Sequence, residues 1–112
     1  MPVSKSRFLL PLLLSLASFA AVAGEPPEVR IVIRDHRFVP AQVVVPANTK
    51  VKLMVVNEDT TPEEFESHQL NREKVVLGRA TIPVYVGPLK PGRYPFFGDF
   101  HPDTAHGVLL AQ

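Results

Sequence analysis

The sequence predicts an all-β fold, a Greek-key β-sandwich built as one small domain. Three observations point there. Apolar and polar residues alternate with a period of two over short stretches, as in residues 29–34, where Val29, Ile31 and Ile33 interleave with Arg30 and Arg34. Turn signals such as Pro46-Ala47-Asn48-Thr49 and Lys90-Pro91-Gly92 separate these stretches. Twelve prolines, ten of them after residue 23, work against long helices and favour short strands joined by turns.

Residues 1–23 read as an export signal. Lys5 and Arg7 give a positive start, residues 8–20 are apolar, and Ala21-Val22-Ala23 has the small-residue form of a cleavage site. The apolar run is shorter than the ~20 residues a membrane helix needs; an uncleaved anchor is the other reading. The folded domain is then residues 24–112, and a periplasmic location follows from export. Setting aside Lys5 and Arg7 leaves ten basic against eleven acidic residues, without the basic excess of a nucleic-acid surface. There is no cysteine, so no disulfide braces the domain.

Residues 29–34 form the first expected strand and 42–45 the second. In the third, residues 50–57, Val51, Leu53 and Val55 point inward and Lys50 and Lys52 outward. In residues 80–86 Ile82, Val84 and Val86 alternate with Thr81, Pro83 and Tyr85; Pro83 marks an edge position or a bulge. Residues 94–97 and 108–111 close the set, with a short strand at 74–77. Residues 58–79 admit two readings. Thr60 or Thr61 caps a short helical turn through Pro62, Glu63 and Glu64, within residues 61–68, or residues 63–68 are extended.

The tail carries the strongest signal. Lys90, Pro91, Gly92 and Tyr94 lead into Phe96, Phe97 and Gly98, followed by His101 three residues on and His106 eight residues on. This pattern, with the strand ending at Asn57, resembles the cupredoxin superfamily over about residues 29–110. That resemblance puts Gly98 where a cysteine ligand belongs, His101 where a histidine ligand belongs and His106 in place of a methionine. The segments around Pro62-Glu63-Glu64-Phe65-Glu66-Ser67, Asn71-Arg72-Glu73-Lys74-Val75-Val76 and Gly98-Asp99-Phe100-His101-Pro102 look most like the cupredoxin-like components of bacterial periplasmic iron-uptake systems. It implies help in oxidising ferrous iron or handing it to an iron permease.

By the same resemblance Glu63 takes the place of the first histidine, giving Glu63, His101 and His106 as a two-histidine, one-carboxylate set, with Asp99 and Glu66 as further oxygen donors. Without a thiolate such a set suits non-blue copper or iron. Each member also has a plainer reading: a surface loop for His101, a hydrogen-bonding residue for His106, a solvated acidic turn for Glu63. Glu64, Glu66 and His68 share the opposite parity and form a second cluster or simply exposed charge. His36, between Arg34 and Arg37, reads as a structural or surface residue. Ser67 and His68 face opposite ways along a strand, so no nucleophile–base pair suggests a hydrolase. Three functions remain open: iron acquisition with ferrous oxidase activity, a copper chaperone or store, and a metal-free module that binds a membrane transporter.

Overall fold

A computed structural model describes residues 24–112, and the expected signal at residues 1–23 lies outside them. The described residues form nine strands in two sheets that face each other: β1 (Glu28–Arg34), β2 (Arg37–Val39), β3 (Gln42–Val45), β4 (Val51–Asn57), β5 (Glu63–Ser67), β6 (Arg72–Val76), β7 (Thr81–Val86), β8 (Gly92–Gly98) and β9 (His106–Ala111). One sheet runs β2-β1-β4-β7 and the other β3-β9-β8-β5-β6. Both are mixed, since β1 lies parallel to β4 and β3 parallel to β9.

Alternation dictates what each strand buries. Ile31 and Ile33 of β1, Val51, Leu53 and Val55 of β4, and Val84 and Val86 of β7 form the inner face of one sheet. Val43 and Val45, Phe65, Phe96, Leu109 and Ala111 form the inner face of the other. Phe38, from the three-residue strand β2, completes an aromatic centre. Its ring meets Phe96 edge-on at 4.9 Å and Phe65 at 6.1 Å, while Phe65 and Phe96 stack at 5.0 Å. Pro83 lies on β7, at the edge of its sheet, where its missing N–H leaves no inner ladder bond open.

Residues 63–67 are a strand, and the helical turn expected around residues 61–68 does not form. The reason is pairing: β5 is gripped on both sides, by β6 and by β8, and only an extended chain buries Glu63, Phe65 and Ser67 together. Asn57 sets its entry. Its buried side chain donates to the Thr61 carbonyl at 2.9 Å and accepts from the Asp59 N–H at 3.0 Å, folding residues 58–62 into a tight connection.

The β1–β2 hairpin turns through Asp35 and His36 alone, both left-handed at φ 54° and 58°, the conformation that a two-residue hairpin of this twist requires. The Asp59 carboxylate accepts both of their N–H groups, at 2.8 and 3.0 Å. Burial works to raise the Asp59 carboxyl, but these two bonds and the nearby charges of His36 and His101 hold it below its ordinary value.

Phe96→Ala is expected to cost about 3–5 kcal/mol of stability, because its buried ring packs against the other two central phenylalanines and its removal leaves a cavity between the sheets. Urea denaturation of the variant checks this.

Candidate functional site

The sequence-predicted donors fall into two groups on opposite faces of the second sheet. Phe65 belongs to the core, so on β5 Glu63 turns inward with it and Glu64 and Glu66 turn outward. Glu63 is 1% exposed. Its carboxylate accepts three N–H bonds: Oε1 from the Glu64 and Phe100 backbone at 2.9 and 2.8 Å, and Oε2 from the His101 ring Nδ1 at 2.7 Å. Thus the loop after β8 is tied to β5 through one buried side chain.

Gly98, the last residue of β8, explains how that carboxylate fits. A Cβ at Gly98 would lie 2.6 Å from Glu63 Cδ, 2.8 Å from Oε2 and 2.7 Å from the Ala105 Cβ. Glu63 therefore fills the volume that a side chain at position 98 would use. The loop itself is compact: Gly98 donates to the Ala105 carbonyl at 2.9 Å, and Ala105 back to the His101 carbonyl at 2.9 Å.

His106 does not join Glu63 and His101. It opens β9 opposite Phe97, is exposed, and lines an open groove of about 660 Å³ on the outer face with Pro95, Phe97 and Val108. The inward place goes to Ala105, which is fully buried and offers no donor. Leu109 and Ala111 must face the core, and the period of two then fixes His106 outward. The expectation of one ion shared by Glu63, His101 and His106 is corrected to this extent.

His36 is the residue that sequence reasoning set aside. Its ring stacks on His101, with centroids 3.5 Å apart and planes 10° from parallel. The Thr104 hydroxyl donates to the His36 carbonyl at 2.6 Å, joining the β1–β2 turn to the loop after β8. Arg34, whose charge argued against a role for His36, is turned to Glu58 at 2.9 Å. No local pattern links positions 36 and 101; the contact exists only once the two sheets pack.

On the outer face Glu64, Glu66 and Asp99 each bring a carboxylate oxygen within 4.8 Å of the others. His68 Nδ1 lies 3.9 Å from Glu66 Oε2. Partial burial, then the charges of Glu73, Glu66 and Asp99 and a hydrogen bond with Asp99, push the Glu64 carboxyl up to about 7. A site of three crowded acids holding a proton near neutrality is one that a cation can enter by displacing that proton. Ser67, by contrast, is buried and donates to the Pro95 carbonyl at 2.7 Å, serving the fold.

A sandwich of this form, with a histidine-bearing loop between its last two strands and a glycine at the end of the first of them, defines a β-sandwich of the cupredoxin type without a thiolate. The family model described as a cupredoxin-like domain matches residues 7–111, and the chain belongs to that family. It is 54% identical over 85 residues to an uncharacterized protein of Rickettsia prowazekii, covering 76% of this chain and 68% of that one. Among solved structures it is similar to auracyanin A, a blue copper protein of Chloroflexus aurantiacus, with TM-score 0.67 and 13% identity over 79% of this chain and all of that one (100%). It is also similar to a purple cupredoxin of Nitrosopumilus maritimus, with TM-score 0.59 and 17% identity over 75% of this chain and 99% of that one. These likenesses fix the fold. They do not carry over the blue site, because the chain has no cysteine to supply its thiolate.

Gly98→Ala is expected to cost about 1–3 kcal/mol, because the added methyl meets Glu63 and Ala105 at contact distances that no real Cβ tolerates. The same change made in a Glu63→Ala background should cost clearly less. Chemical denaturation of the two single variants and the double variant closes the cycle.

Proposed function

We propose that this chain is a periplasmic metal-binding component of an iron-uptake system, which holds ferrous iron for transfer at the outer carboxylates Glu64, Glu66 and Asp99. The observation that carries this is the convergence of three carboxylate oxygens, two from β5 and one from Asp99, just past the end of β8. Oxygen donors favour hard or borderline divalent ions over Cu(I). Copper(II) still outranks iron(II) in intrinsic affinity, so copper bound in vitro does not by itself name the physiological ion.

Handing the ion on suits this site better than oxidising it. The carboxylates are partly exposed, their ion would be open to a receiver such as an iron permease, and no thiolate is present to carry rapid electron transfer. The resemblance noted in the sequence supports the iron role and the permease as partner. The export signal expected from residues 1–23 supports the location.

Titration of the metal-free protein with Fe(II) under anaerobic conditions, and with Mn(II) as a redox-stable probe, tests the reading. Binding of one ion per chain is expected, reduced at least tenfold in a Glu64→Gln/Asp99→Asn variant. Equal binding in that variant sinks it. Because the ion displaces the Glu64 proton, affinity should rise about tenfold per pH unit up to about 7 and level off above it.

The metal-free protein should show the opposite trend. Glu64 is raised from 4.5 to about 7, so between those values the folded chain keeps a proton that the unfolded chain has released. Stability then falls as pH rises through this window. Asp59 is lowered, and its contribution is lost only in acid, below its ordinary value of 3.8. Melting temperatures from pH 5 to 8 should decline in the wild type and flatten in Glu64→Gln.

A further inference from the structure

We infer that the interior position where this fold family holds its metal is closed in this chain, and that the Glu63 carboxylate is its occupant. A proton, not an ion, joins Glu63 to His101. The inference stands apart from the outer-face reading and concerns the opposite side of the sheet.

Space gives the first argument. The volume beside position 98 is filled from both sides: a Cβ built there falls 2.6 Å from Glu63 Cδ and 2.7 Å from Ala105 Cβ. Donor count gives the second. A tetrahedral ion needs about four ligands, each ~2.0–2.3 Å away. Gly98 and Ala105 offer no side-chain donor, and His106 faces away. Glu63 and His101 remain, already bonded to each other at 2.7 Å, while His36 lies parallel to His101 at 3.5 Å, so its in-plane nitrogen lone pairs run alongside those of His101 and do not converge with them.

Saturation is the third. All three N–H bonds to Glu63 come from the loop or strand that an ion would have to displace, and the Glu64 and Phe100 N–H groups would lose their acceptor. A polar group stripped of its partner in the interior is costly. The rim is covered as well, since His36 lies flat against His101 and is fastened by Thr104 and Asp59. The pair therefore supplies by hydrogen bonding what an ion supplies elsewhere in the family, a tie between β5 and the loop after β8. The sandwich is complete without metal.

Zn(II) and Cu(II) titrations of the full chain test this. In wild-type protein the His101 Nδ1 proton resonance should survive saturation with Zn(II). Glu63→Gln and His101→Gln should change Cu(II) affinity less than threefold while lowering the melting temperature of metal-free protein. Glu63→Gln keeps the side-chain shape, so a folded variant is available for the measurement. Loss of the Nδ1 proton on adding Zn(II), or a larger fall in Cu(II) affinity in either folded variant, overturns the inference. If wild-type protein takes up no ion at all, the outer-face proposal fails and the closed interior stands. If Glu64→Gln/Asp99→Asn abolishes binding while the interior variants retain it, both stand.

Discussion

Three N–H groups converge on the buried carboxylate of Glu63, and much of this end of the sandwich is arranged around that convergence. Gly98 is small because the carboxylate needs its room. His101 is held in place by its Nδ1, and its ring then offers a flat surface on which His36 rests. The β1–β2 turn is drawn in with His36, and Asp59 and Thr104 lock it there. A carboxylate taken out of water this completely is tolerated only with full hydrogen bonding, which the loop after β8 provides. The loop is thus shaped by an acid that belongs to another strand.

Alternation along β5 then divides the chemistry. The same short strand sends Glu63 to the interior and Glu64 and Glu66 to the outside. Inside, an acid is satisfied by N–H groups and stays dry. Outside, Glu64, Glu66 and Asp99 face one another, with the His68 ring 3.9 Å from Glu66. The two faces of one sheet separate an acid satisfied by the fold from a cluster of acids left toward solvent.

Much of this was legible in the sequence. Strands such as β1, β4 and β7 announce themselves by clean alternation, and the tail pattern from Tyr94 to His106 pointed to the family. What was less legible has physical reasons. Strand β2 has three residues and a single buried side chain, Phe38, too few to show a period. Strand β6 exposes nearly everything but Val76. Glu63, Glu64 and Glu66 make β5 look like a solvated turn, and only the two flanking strands override that local preference. The resemblance put Glu63 and His101 together as ligands; their direct hydrogen bond exists only once β5 and the loop after β8 pack. The outward turn of His106 depended on a parity set by Leu109 and Ala111, and the stacking of His36 on His101 on a contact between distant segments.

The parallel pairing of β3 with β9 bears on how the molecule is made. Gln42 lies opposite Val108, and β9 sits between β3 and β8. Until β9 docks, β3 has no neighbour in its sheet and β8 has one free side. Closing so long a stretch of chain carries an entropic cost before any contact repays it, so folding of such a topology is slow. As the polypeptide emerges from the ribosome, β3 waits on the last strand, while β1, β2, β4 and β7 pair without it. The second sheet is completed only once synthesis has passed residue 111.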